Sequence, residues 1–245
     1  MNYREYHFSK SDLIKNIAAG VMIDAMIAWT FYRSIVAFIV FLPLVWFYLR
    51  YRKETLKAAR KDELALEFKE TLLSVQSALN AGYSVENAFA EGLKDMELLY
   101  GNDAMIVKEL KIMMRRLRTN ERIEKILLEL GTRSGIADIV EFAQIFAAAK
   151  RSGGNMSGII RRAASMISDR MEVAREISVQ ISAKRYESRI MEIVPFGIIV
   201  YITLTSPNVA AVIYHNVLGV ILMTVCLCIY AIALVISEKI VSIEV

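Results

Sequence analysis

Residues 193–237, between Glu192 and Glu238, form a run of 45 residues without a formal charge. One membrane-crossing helix needs about 20 apolar residues, so this run has room for two helices and a connection. The connection is legible. Thr205-Ser206-Pro207-Asn208 is turn chemistry, and Tyr214-His215-Asn216 has the polar and aromatic character of a lipid–water boundary. The run therefore predicts a transmembrane hairpin over 190–236, with spans near 190–205 and 218–236.

The rest of the chain has the opposite character. Residues 50–192 hold 25 of the 30 Lys+Arg and 21 of the 26 Asp+Glu. This is a charged, soluble-looking domain between two apolar ends. Its weak positive charge is too small for a nucleic-acid binder. The chain is 56% hydrophobic, against roughly 45–50% for an ordinary soluble domain, which excludes a disordered protein. Only 3 Pro and 11 Gly in 245 residues point to long helices and away from a turn-rich β fold.

At the N-terminal end, residues 34–49 are uncharged and are followed at once by Arg50, Arg52, Lys53, Lys57, Arg60 and Lys61. Such a basic flank places the following domain on the cytoplasmic side. Residues 17–49 would be about 50 Å long as one helix, against a bilayer core of about 30 Å. Two short spans turning at Phe31-Tyr32-Arg33-Ser34 fit better, the alternative being one span over 34–50 preceded by an interfacial helix. The segments expected are thus a cytoplasmic tail (1–16), an N-terminal transmembrane hairpin (17–49), a cytoplasmic helical domain (50–192), a C-terminal transmembrane hairpin (190–236) and a cytoplasmic tail (237–245). Residues 1–12 have mixed charge and no cleavage pattern of a signal peptide.

The middle reads as all-helical. Phe68, Leu72, Val75 and Leu79 form one stripe; Gly82 and Ser84 cap the break before a helix carrying Ala88 and Phe89. Gly101-Asn102-Asp103 should cap a third helix, and Thr119-Asn120 a fourth that ends at Gly131. A fifth covers roughly 136–151, with Ile139, Ala143 and Phe146 inward. After Ser152-Gly153-Gly154-Asn155, a sixth helix has nothing to break it before Pro195. Over 156–192 it would be about 55 Å long, with Ile160, Ile167, Ala174 and Ile181 recurring every seven residues. That predicts a stiff lever with Pro195 as its pivot in the membrane.

Catalytic patterns are sparse. The chain has no phosphate-binding loop of the G-x-x-x-x-G-K-[ST] type. His7 and His215 are far apart in sequence, and a zinc site needs three or four convergent ligands. Cys226 and Cys228 point about 200° apart on a helix and read as small packing residues. The expectation is a non-enzyme without cofactor or metal. Asp24 is the one ionisable residue well inside an apolar stretch and is expected to face a partner helix or a neighbouring subunit. Arg115, Arg116, Arg118 and Arg122 read as a solvated helix face. Lys150-Arg151 before Gly153-Gly154-Asn155, with Arg161-Arg162 after, reads as a tight helix turn packed on a partner.

Several runs together resemble a known family. They are 79–88 (Leu-Asn-Ala-Gly-Tyr-Ser-Val-Glu-Asn-Ala), 149–155 (Ala-Lys-Arg-Ser-Gly-Gly-Asn), the segment from Lys184-Arg185-Tyr186-Glu187 to Pro195, and the C-terminal 240–245. Their order and spacing resemble the Tad (tight adherence) branch of the type II secretion system F-domain family, from about residue 17 onward. The resemblance implies a platform protein of the cytoplasmic membrane with one helical F domain, working in type IV (Flp) pilus assembly. The partners it implies are a secretion ATPase, a second platform protein, the prepilin and the lipid membrane, in an oligomeric assembly. It implies no catalytic residues. A small-molecule transporter subunit and a membrane-anchored sensor are the alternatives; the first explains the charged middle domain poorly, the second the short outside loops.

Overall fold

The computed structural model describes residues 10–153, 155–206, 214 and 216–241. All regular structure among them is helical: α1 (Lys10–Tyr32), α2 (Ile35–Asn80), α3 (Val85–Tyr100), α4 (Met105–Arg118), α5 (Ile123–Ser134), α6 (Ala137–Ser152), α7 (Met156–Thr205) and α8 (Val217–Val241). They belong to two compact units. One comprises 53–173, and the described residues of the other lie within 10–52 and 174–241. α2 and α7 contribute residues to both.

The 53–173 unit is a helical bundle around one apolar core. Phe68 of α2 meets Phe142 of α6 edge-on at 5.4 Å, Phe142 stacks on Phe146 at 5.5 Å, and Phe146 meets Phe89 of α3 at 6.3 Å. The stripe expected on α2 is this core's wall: Phe68, Leu72 and Val75 are fully buried. On α7 the seven-residue repeat outlasts the core. Ile160 and Ile167 are buried, but Ala174 is exposed and Ile181 half-exposed. The bundle unit accordingly ends at Val173.

Three of the expected caps are replaced by other devices. Asp103 does not cap α4; the N-cap residue is Ala104, without a side-chain bond. Instead the Ile106 N–H donates to Glu67 Oε2 of α2, at 2.9 Å and fully buried, so a residue 39 positions away does the work of a local cap. Burial raises the Glu67 carboxyl above its usual range, and the Ile106 N–H opposes that rise. Thr119 and Asn120 close α4 instead of opening α5. Thr119 Oγ1 bonds the Arg116 carbonyl at 2.7 Å, Asn120 adopts φ 60, and the N-cap of α5 is Arg122. Gly131 lies inside α5, which ends at Gly135 in the left-handed region at φ 62.

Gly131 has a different purpose. A Cβ there would stand 2.9 Å from Val140 Cα, so the α5 and α6 backbones cross at this point and only hydrogen fits between them. Backbone cannot retreat as a flexible side chain can. Gly131→Ala is expected to lower stability by about 2 kcal/mol through overpacking, although alanine is the better helix former. Denaturant unfolding of the full chain in detergent checks this; an unchanged midpoint contradicts it.

In the second unit, α1 and α2 are joined at Arg33 (φ 45) and Ser34, whose hydroxyl accepts from the Val36 N–H at 3.2 Å. α1 begins at Lys10, earlier than the first span expected at residue 17. Polar groups pair inside the unit: Tyr32 Oη with Thr224 Oγ1 at 3.0 Å, and Tyr214 Oη donating to the Thr30 carbonyl at 2.7 Å. Phe196 is flanked edge-on by Phe31 and Tyr230, each at 5.7 Å. The outer faces are the reverse of a water-soluble protein: Ile35, Trp46, Leu204 and Leu218 are all more than 60% exposed. Among the described residues four helices are long and apolar enough to cross a bilayer, with apolar windows in α1, α2, α7 and α8. Together with that exposed surface they suggest a membrane protein.

Both long helices run through a proline. Pro43 lies inside α2 and Pro195 inside α7, which continues to Thr205. Proline removes one backbone donor and crowds the carbonyl four residues earlier. Near Pro195, Tyr230 Oη of α8 donates to the Glu192 carbonyl at 2.7 Å, one residue beyond the Met191 carbonyl that the proline leaves without its helical donor. Neighbouring hydroxyls of this kind let helices in apolar surroundings pass a proline unbroken.

Candidate functional site

Two sequence runs far apart in the chain meet at one end of the bundle unit. The first holds the end of α2 and the start of α3. α2 stops at Asn80, Gly82 takes φ 91, and the Tyr83 N–H closes back on the Ala78 carbonyl at 3.1 Å. Ser84 then caps α3, its Oγ accepting from the Asn87 N–H at 3.4 Å. The second run is the turn between α6 and α7. Gly153 caps α6 in the left-handed region at φ 69, where no Cβ would be comfortable. Asn155 caps α7, its Oδ1 accepting from the Gly158 N–H at 3.0 Å. Gly154, between them, lies outside the described residues.

Among the described residues two polar contacts join these two places. Lys150 Nζ bonds Glu86 Oε1 at 2.7 Å and stands 3.8 Å from Glu124 Oε1 of α5. The Ser157 hydroxyl bonds Asn80 Oδ1 at 2.6 Å. Lys150 holds the Glu86 carboxyl below its usual range. Arg151 turns back along its own helix, Nε donating to the Ala147 carbonyl at 3.1 Å, where a cation also suits the helix C-terminal dipole. The lysine is thus balanced by acidic side chains, and the arginine Nε is spent on a carbonyl. This end of the bundle is a mixed-charge surface.

A groove of about 850 Å³ opens beside it, lined by Glu86, Leu93, Met114, Arg118, Arg122 and Lys150 among others. The arginine run divides around this groove. Arg116 is committed inward: Nε and Nη2 form a bidentate pair with Glu121 at 2.6 and 2.7 Å, and Nη2 also bonds Glu129 at 2.8 Å. Arg116 holds the Glu121 carboxyl down to about 2 and Glu129 below its usual range. Arg115, Arg118 and Arg122 are exposed, as a solvated helix face requires.

Asp24 is in the other unit, in α1, and is 4% exposed. Among the described residues neither carboxylate oxygen has a hydrogen-bond partner. It lines a cavity of about 310 Å³ between α1 and the start of α2, whose other walls include Gly20, Ile23, Leu44, Phe47 and Tyr51. Gly20 permits the close approach of the two helices: a Cβ there would meet Val45 Cγ1 at 3.0 Å. A carboxylate at the centre of a membrane helix costs about 3 kcal/mol on insertion scales. Pro195 belongs to this unit as well, and the adjacent Phe196 packs on Phe31 of α1.

One buried ion pair was not legible in the sequence. Arg133 of α5 meets Glu109 of α4 in a bidentate pair at 2.7 and 3.2 Å, and Glu109 is 3% exposed. A glutamate on the inner face of α4, beside Leu110 and Met113, was the available signal. Among the described residues no three His, Cys, Asp or Glu side chains are grouped so as to hold a metal ion. Comparison of the whole chain with protein-family models, curated proteins and solved structures finds no match.

Proposed function

We propose that this protein is a platform of the cell membrane, a multi-pass scaffold of a Tad/Flp type IV pilus or type II secretion machine, coupling a cytoplasmic ATPase to pilin assembly. The observation that carries the reading is the meeting of two of the family-resembling runs, 79–88 and 149–155. They lie far apart in sequence and are joined through Lys150–Glu86, with Ser157, two residues past the second run, bonding Asn80 of the first. They form one mixed-charge face beside a wide groove, which is the chemistry of protein docking. The four long apolar helices support the membrane placement, and the basic run from Arg50 to Lys61 supports a cytoplasmic bundle.

In this role the chain is not an enzyme and needs no cofactor. Its partners are the secretion ATPase on the bundle side, a second platform protein and the prepilin in the bilayer, within an oligomer. Deleting the protein is expected to leave prepilin synthesised and membrane-inserted but unassembled, with assembly restored by the wild-type chain. Normal filaments in the deletion strain, or ATP hydrolysis by the purified protein alone, would contradict the reading.

A further inference from the structure

We infer that the Asp24 cavity receives a basic side chain carried on a membrane-spanning helix of a partner protein. This goes beyond the platform reading and requires only that α1 and α2 lie in a bilayer.

The cavity wall carries a carboxyl group that has no hydrogen-bond partner among the described residues. Asp24 is buried, among the described residues neither of its oxygens has a donor, and the rest of the wall is apolar apart from Tyr48 and Tyr51. A neutral ligand would gain only dispersion there, whereas a cation gains the one strong interaction the site offers. The volume, about 310 Å³, suits one long side chain and not a whole helix. The rim is apolar and open: Ile23, Leu44 and Phe47 are all exposed, so a helix could lie along it and insert that side chain.

Depth selects the kind of partner. Asp24 is the twelfth residue of the apolar window Leu13–Tyr32. At 1.5 Å per residue it lies about 17 Å from one end, near the middle of a bilayer core of about 30 Å. Lipid headgroups do not reach that level. A second copy of this chain does not supply the cation either. In the four apolar segments 13–32, 35–49, 193–206 and 217–237 the only basic residue is Lys15, near one end of the first. The occupant is therefore a different membrane protein, with a Lys or Arg at mid-depth.

The test uses the full chain in phosphatidylcholine vesicles and synthetic Leu/Ala transmembrane peptides with Lys, Leu or Glu at the centre. Association is followed by anisotropy of a fluorophore on the peptide. The Lys peptide should bind about tenfold more tightly than the Leu peptide, as expected for one polar pairing between membrane helices. Asp24→Leu should abolish the preference and Asp24→Glu should keep it. Leu44→Trp blocks the exposed rim while leaving the carboxylate in place, and should also abolish it, so the test stands even where Asp24→Leu fails to fold. Equal binding of all three peptides, a Lys preference that survives Asp24→Leu, or a Glu peptide binding as well as the Lys peptide would each overturn the proposal.

Discussion

Arg133→Met is expected to be the most damaging single substitution in the bundle, lowering stability by about 4 kcal/mol. Glu109 is almost fully buried and its carboxylate is held by the two Arg133 contacts at 2.7 and 3.2 Å. Methionine fills the space but removes both Arg133 contacts from a carboxylate that stays buried. Charge and desolvation, not lost volume, should dominate, so the damage should be reversible by removing the other partner. The double variant Arg133→Met/Glu109→Leu is expected to recover most of the loss, since an ion pair replaced by packed apolar groups is often neutral. Thermal unfolding of the full chain in detergent checks this, with a drop on the order of 10 °C for the single variant. A double variant no better than the single one would show that Arg133 matters for a reason other than Glu109.

The second large effect concerns α7 and rests on the proposed platform role. α7 is one helix over Met156–Thr205, and it contributes residues to both compact units. If force passes along it, its register matters. Two glycines inserted between Ala174 and Arg175 rotate everything beyond them by about 200°, at about 1 kcal/mol each in helix propensity. Residues 172–176 are all exposed, so the insertion disturbs no core packing at that point. The variant is expected to accumulate and insert normally and to bind its ATPase, yet to assemble no filaments. Normal filaments would remove the lever and leave the bundle as a docking surface.

The elements legible in the sequence were those whose signal is local. Charge segregation separated the apolar ends from the bundle, and the stripe through Phe68, Leu72 and Val75 marked the core face of α2. Ser84 and Asn155 cap helices as their positions suggested, because a cap needs only the next three residues. What escaped was tertiary. The cap of α4 comes from Glu67 on another helix, and a glycine that looked like a terminator, Gly131, is a crossing point against Val140. The seven-residue repeat on α7 continued past the end of the core because periodicity records a helix face, not what covers it. At the candidate site, the basic residues around the α6–α7 turn were visible. Their acidic partner Glu86 was not, because the pairing joins residues 64 positions apart.

The central claim is a membrane-embedded chain with its bundle on the cytoplasmic side, and sidedness tests it most directly. In a background with Cys226 and Cys228 replaced by serine, single cysteines are placed at Asp103, in the bundle, and at Asn208, in the segment following α7. Intact cells are treated with an impermeant thiol reagent, and permeabilised cells serve as the reference. The account predicts that Asn208→Cys reacts in intact cells and Asp103→Cys only after permeabilisation. Labelling of both positions in intact cells, or of Asp103→Cys alone, would contradict it.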